Sequence, residues 1–312
     1  MTQTETPDRL AEVQALVRRH CTAMSTPTSL DFLTLYRCNN TTDPLLVVYE
    51  PRIYLIIQWA KTIRIHKRSF HYDQNHYLVA TVDLPLSGRI TQATPDSPYL
   101  AACIAFTPEE VAAIIAETSP DPGLDMPEHA SLGLSPVTPD LLDVLRRMLL
   151  VLDHPSDRAF LAPMLKRELI YHVLKGDQRH VLYEIANTRS DASRINRALS
   201  LMRADFMQDI SPAALCALAG MGKSTFYRKF QQVTGLSPMQ YRKHLRLQEA
   251  RRLMLDENRL AADAGFAVGY ESPSQFTREY RALFGLPPHR DISRIRAIGV
   301  ARYRELNEAV WA

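Results

Sequence analysis

The strongest constraint on this 312-residue chain is that it writes one fifteen-residue phrase twice. "STFYRKFQQVTGLSP" (224–238) and "SQFTREYRALFGLPP" (274–288) align without a gap at an offset of 50 (274 − 224). Serine, the first phenylalanine, arginine, glycine, leucine and the last proline coincide, and Phe230 corresponds to Tyr280. A fixed-offset repeat marks a supersecondary unit used more than once. Two copies are too few for a solenoid, so the pair is read as two placements of one device.

In each copy an alanine-rich segment, "PAALCALAG" or "RLAADAGFAVGYES", precedes the phrase and supplies small side chains for a close helix crossing: Ala214, Ala217 and Ala219, then Ala261, Ala262 and Ala264. Phe226 and Phe230, and their counterparts Phe276 and Tyr280, form an i, i+4 stripe that a helix buries on one side. The other side then carries Ser224, Thr225, Tyr227 and Arg228, with Lys223 at the helix start, and in the second copy Ser274, Gln275, Thr277 and Arg278. Arginine suits guanine, glutamine suits adenine, and hydroxyls suit either base or phosphate. A helix presented this way is the recognition helix of a helix-turn-helix. "SPMQYRKHLRLQEARRLML" (237–255) has no breaker after Pro238 and reads as a spacer holding two heads about one DNA turn (~34 Å) apart.

Charge points the same way. Residues 1–190 hold 18 Lys and Arg against 22 Asp and Glu, whereas residues 191–312 hold 19 against 12. The net charge of +3 therefore hides a basic half suited to double-stranded DNA.

The first half has a different texture. After an amphipathic helix over the first twenty residues, about seven short β-branched and aromatic runs between Ser29 and Ala105 alternate with turn sequences, predicting a small antiparallel sandwich or barrel. Thr107 and Thr138 read as N-caps before Pro108 and Pro139. Residues 119–136 read as a loop, 138–154 and 156–176 as a helical hairpin, and 177–190 as a helical linker. Leu141, Leu142, Leu145, Met148, Leu149 and Leu152 offer more apolar surface than one barrel contact needs, predicting a homodimer through the hairpin. The barrel interior is expected to bind a small organic effector against Tyr49, Tyr54, Ile56, Trp59, Tyr77 and Val79.

No run approaches the ~20 apolar residues of a membrane span, so a cytoplasmic protein without membrane contact is expected. The four cysteines lack metal-type spacing. His66, His71 and His76, spaced five and five, alternate strand faces and give no metal site, and no cofactor is expected. Cys38 and Cys103 leave redox or electrophile sensing open.

Residues 191–292 resemble the AraC/XylS-type DNA-binding domain, most specifically through "GFAVGYESPSQFTREYRALFGLPPHRD" and nearly as closely through "LAGMGKSTFYRKFQQVTGLSPMQYRKHLRLQEARRLML". "VVYEPRIYLIIQWAKTI" and "YLVATVDLPLSGRITQATPDSPYLA" resemble the N-terminal domain of one AraC-type subgroup. The resemblance implies an α+β chain: a cupin-like β-barrel with a helical hairpin, then an all-α domain with two helix-turn-helix motifs. The expected boundaries are 1–190 for effector binding and dimerisation (barrel about 29–106, helices about 107–190), 191–295 for DNA binding, and 296–312 as a C-terminal extension. It implies a non-enzymatic bacterial transcription factor, an activator by expectation although no residue decides activation against repression, with RNA polymerase as a possible further partner. The alternative is a metal-dependent cupin-type enzyme fused to a DNA-binding domain. Two residues depart from the family pattern: Gly222 where a Ser commonly caps the first recognition helix, and Gly265 where an alanine is expected, at ~1 kcal/mol of helix propensity.

Overall fold

A computed structural model describes residues 5–65, 68–118, 132–177, 179–187, 190–205 and 210–311. The chain divides into two compact units, residues 1–193 together with 306–312, and residues 194–305.

The first unit holds two sheets, antiparallel throughout. One runs β1 (Ser25–Pro27), β2 (Leu33–Cys38), β9 (Tyr99–Ala105), β4 (Arg52–Gln58), β7 (His76–Ala80), β10 (Leu132–Pro136). The other runs β3 (Leu45–Tyr49), β8 (Leu84–Ile90), β5 (Ala60–Ile65), β6 (Arg68–Asp73). Side-chain alternation sorts β4 between two cores. Ile53, Leu55 and Ile57 join the core beneath the helices, with Tyr77, Val79, Leu100 and Ala102. Tyr54, one residue along from Ile53, points the other way and stacks on Tyr49 of the second sheet, ring centroids 4.4 Å apart. The two sheets therefore face one another across a second, aromatic core.

Five helices cover the outer face of the six-stranded sheet: α1 (Glu5–His20), α2 (Pro108–Thr118), α3 (Pro139–Val151), α4 (Pro155–Lys175) and α5 (Arg179–Ala186). Their starts follow the sequence reading. Thr107 and Glu110 exchange hydrogen bonds in a capping box, and Thr138 accepts from the Leu141 amide.

Two expectations change here. Leu132–Pro136, read as the end of a loop, is an edge strand paired with β7; Gly133 and Pro136 masked it. The rest of that loop, 119–131, lies outside the described residues. Second, Leu141, Leu142, Leu145, Met148, Leu149 and Leu152 are all buried within the chain, because α1 packs Val13, Leu16 and Val17 into the same core. The hairpin thus has no spare face on α3; the exposed apolar side chains are Phe160 and Met164 on α4. The linker, helical over Arg179–Ala186 as read, is also anchored, since Val181, Leu182 and Ile185 of α5 are fully buried in that core.

Beyond the linker the described residues are helical: α6 (Asp191–Ala204), α7 (Pro212–Ala219), α8 (Lys223–Thr234), α9 (Pro238–Asp256), α10 (Ala261–Ala267), α11 (Pro273–Phe284), α12 (Pro288–Ile298) and α13 (Val300–Trp311). α6 buries Ile195, Leu199 and Met202, which share one helical face. The extension is itself a helix, α13.

Candidate nucleic-acid interface

The repeat in the sequence is a repeat in space. Phe226 and Phe230 of α8 are fully buried, as are Phe276 and Tyr280 of α11. Each pair packs ring against ring, centroids 5.6 Å apart in the first copy and 5.5 Å in the second. Each helix ends on a left-handed glycine, Gly235 (φ 74°) and Gly285 (φ 81°), a conformation that a Cβ would strain. A buried proline then opens the next helix, Pro238 and Pro288.

With the aromatic stripe fixed inward, the predicted reading residues face out. Lys223, Ser224, Thr225 and Arg228 are exposed and Tyr227 is half-buried; Ser274, Gln275, Thr277 and Arg278 are exposed. Arg228 and Arg278 have no ion-pair partner among the described residues, so both guanidiniums are available. Sequence reasoning stopped one turn short. Gln231 and Arg281, also 50 apart, continue the same exposed stripe at i+3 and are signalled by helical spacing alone.

Each turn is held by an arginine from the preceding helix. Arg194 on α6 donates from Nε to the Ala219 carbonyl at 2.6 Å and also to the Gly220 carbonyl. Arg246 on α9 lies with its guanidinium against Gly269 (φ 85°) and reaches its carbonyl at 3.5 Å. Nothing in the sequence marks these two arginines as different from their neighbours.

The small residues divide. Ala219 and Ala264 are buried at the helix contact and Ala261 and Ala262 are half-buried, but Ala214 and Ala217 are exposed and play no part in the crossing. Gly265, expected to cost propensity, has a steric reason: a Cβ there would lie 2.9 Å from Cγ of Phe276. Gly222 caps α8 in extended conformation without a side-chain bond and has open space around it. In the second copy Ser272 accepts from the Gln275 amide, and the Gln275 side chain is tied to Glu279 at 3.4 Å.

α9 spans 19 residues, about 28 Å at 1.5 Å per residue. A buried ion pair braces its far end, with Arg251 donating to Asp291 of α12 through Nε and Nη2. The Arg251 guanidinium also lies over Phe284 and Tyr303, 4.3 and 5.0 Å from the ring centroids.

In the first unit the expected effector-lining residues separate. Tyr49, Tyr54 and Ile56 are buried between the two sheets, together with Tyr72, Tyr99 and Lys61. Tyr77 and Val79 belong to the core beneath the helices. Trp59, at φ 73° between β4 and β5, donates Nε1 to the Ser97 carbonyl at 2.8 Å. His71 meets Thr62 at 3.1 Å and His76 meets Asp73 at 2.9 Å, while His66 lies outside the described residues. Cys38 and Cys103 are buried, and burial pushes the Cys103 thiol up to about 12, keeping it protonated.

Comparison with known families places both halves. Residues 29–181 match the AraC-type transcriptional regulator N-terminus, and residues 215–293 match a helix-turn-helix domain family. The chain belongs to the AraC/XylS-type regulators. Curated relatives include the HTH-type transcriptional activator RhaS of Escherichia coli, 26% identical over 157 residues, covering 50% of this chain and 55% of the relative. RhaS of Escherichia coli strain SE11 is 29% identical over 106 residues, covering 34% and 38%. The chain thus spans about half the length of the first of these relatives. Among solved structures, apo ToxT (a variant) from Vibrio cholerae strain SCE256 aligns at a TM-score of 0.54 and 11% identity, covering 84% of this chain and 97% of that one. Wild-type ToxT of that strain with bound unsaturated fatty acid gives 0.54 at 12%, covering 83% and 94%. At such identities the likeness is one of fold.

Proposed function

We propose that this AraC/XylS-type regulator binds double-stranded DNA sequence-specifically through α8 and α11 and controls transcription in response to a small molecule held in its N-terminal unit. The observation that carries the reading is the pair of repeat-equivalent exposed stripes, Ser224–Arg228 and Ser274–Arg278, each backed by a buried aromatic pair. Two heads on one spacer read two successive stretches of major groove, where either alone would see only a few base pairs. The direction of control is activation, in line with the curated RhaS relatives, and RNA polymerase is the partner activation requires. Work on chromosomal DNA puts the protein in the cytoplasm; no described helix is long and apolar enough to cross a membrane.

The effector reading rests on the aromatic core between the sheets, and the bound fatty acid of ToxT is a precedent from a shared fold. A homodimer, in this reading, forms through α4, where Phe160 and Met164 are exposed. The protein acts, in this reading, as a regulator rather than an enzyme, in line with the curated RhaS relatives.

The test is footprinting of the full chain on fragments of the genome that encodes it. Protection of discrete sites upstream of genes supports the reading, and the adjacent genes then name the effector's chemical class. Binding that is uniform across fragments and abolished by moderate salt leaves only nonspecific attraction to phosphate.

A further inference from the structure

Between the two sheets lies a lysine with no solvent contact. Lys61 on β5 is fully buried, with the rings of Tyr49 and Tyr72 at 5.0 and 5.8 Å from its Nζ. Its oxygen partner is not a carboxylate. Nζ donates to the backbone carbonyl of Val310 at 3.0 Å, and the Tyr49 hydroxyl reaches the same oxygen at 3.4 Å. Val310 lies in the last described turn of α13, and its carbonyl accepts from both groups, so the oxygen is the shared polar anchor of this pocket. The Val310 side chain is fully buried, and the space it fills exists because residue 88 is glycine: a Cβ on Gly88 would lie 2.8 Å from Val310 Cγ1.

These contacts describe an apolar body with an electron-rich oxygen presented to a buried amine. They are contacts a ligand would make. A second feature shows that the site has polar capacity left over: the Tyr99 hydroxyl on β9, also buried, has no hydrogen-bond partner among the described residues. A buried hydroxyl without a partner is costly unless something meets it.

We propose that the end of α13 is a built-in occupant of the inter-sheet site, and that the effector is a monocarboxylate with an apolar body that takes the Val310 carbonyl's place on Lys61 and displaces the tail. The proposal rests on the reading that the effector binds between the sheets. A full carboxylate outcompetes a backbone carbonyl for the Lys61 ammonium because it brings a whole negative charge where the carbonyl brings only a partial one, in a site closed to water. Competition with the tail sets the ligand concentration at which the protein responds, since the tail must leave before the ligand binds.

The experiment uses the full chain with decanoate as probe and decanol as its uncharged control. Decanoate binding is measured by calorimetry to wild type, Gly88→Ala, Val310→Lys and Lys61→Met, and hydrogen exchange is followed along residues 300–311 of wild type. The expected results are at least tenfold tighter binding to Gly88→Ala and Val310→Lys, at least tenfold weaker binding to Lys61→Met, and faster exchange in 300–311 when decanoate, but not decanol, is added. Gly88→Ala evicts the tail without altering the tail or Lys61, and the exchange measurement needs no variant, so a misfolded substitution does not shelter the proposal. Equal decanoate affinity in wild type and both tail-evicting variants, with unchanged exchange, overturns the competition while leaving an inter-sheet effector site standing. Absence of decanoate binding even to the tail-evicting variants overturns both.

Discussion

Arg251 on the spacer helix and Asp291 on the helix after the second recognition helix form a buried two-pronged ion pair, Nε to Oδ2 and Nη2 to Oδ1, both at 2.8 Å. The Tyr280 hydroxyl donates to the same carboxylate at 2.8 Å, so Asp291 ties together α9, α11 and α12. Breaking a buried pair from one side strands a charge and costs about 3–5 kcal/mol, whereas removing both partners together costs far less. Asp291→Ala is therefore expected to unfold the helical unit at markedly lower urea, and Arg251→Met with Asp291→Leu to recover most of the loss. Equal destabilisation by the single and the double variant would show that the charges themselves are not what holds the three helices.

The two glycines that depart from the family pattern should respond in opposite ways. Gly265→Ala gains about 1 kcal/mol of helix propensity, but its Cβ meets the buried Phe276 ring at 2.9 Å. Overpacking at such a site costs about 1–3 kcal/mol, so the net effect is neutral to destabilising. Gly222→Ser enters open space at an extended N-cap and adds the missing side-chain bond, for a few tenths of a kcal/mol of stabilisation. Thermal unfolding of both variants checks the signs.

Arg228 and Arg278 are exposed at equivalent places on α8 and α11. Replacing either by alanine is expected to weaken specific DNA binding by about 1–3 kcal/mol, with circular dichroism and melting unchanged. Gln231→Ala and Arg281→Ala, one turn along the same stripe, should have smaller effects, and the arginine should also lower the salt dependence of binding. Affinities at two salt concentrations separate base reading from phosphate contact.

Burial holds the Lys61 amine at about 7, from an ordinary value of 10.5. The groups around it stay neutral near that pH: burial raises Tyr49, Tyr72 and Tyr99 and pushes Cys103 up to about 12. In the interval from about 7 to 10.5 the unfolded chain holds the Lys61 proton more tightly than the folded one. Stability from this group therefore rises with pH through that window, and the full penalty for the buried charge is present below about 7. Unfolding free energies between pH 6.5 and 9.5 should climb in wild type and flatten in Lys61→Met. Identical slopes in the two proteins would mean that Lys61 does not titrate in that range.

Periodicity made most of the helical unit legible. Phe226, Phe230, Phe276 and Tyr280 fall on one face by spacing alone, and burying them forces Arg228 and Arg278 outward. The N-terminal unit was legible as strands but not as faces. Tyr54 and Tyr77 look equally suited to line a pocket, yet Tyr54 points between the sheets and Tyr77 toward the helices. That choice depends on which face of the sheet the helices cover, a long-range fact absent from any short window. The same gap explains the apolar surplus read into α3, which α1 satisfies from far away in sequence. Lys61 gave no signal, because an isolated lysine in a strand ordinarily faces water, and its partner lies 249 residues away.

In vitro selection of random duplexes by the full chain, followed by sequencing, is the most direct measurement of whether the repeat is a pair of reading heads. The predicted result is a two-part motif whose centres lie about 10 base pairs apart, one DNA turn. In that result Arg228→Ala relaxes preference in one part only and Arg278→Ala in the other only. A single short motif, or loss of preference in both parts from either substitution alone, would contradict two heads reading independently; recovery of random sequence would contradict specific recognition altogether.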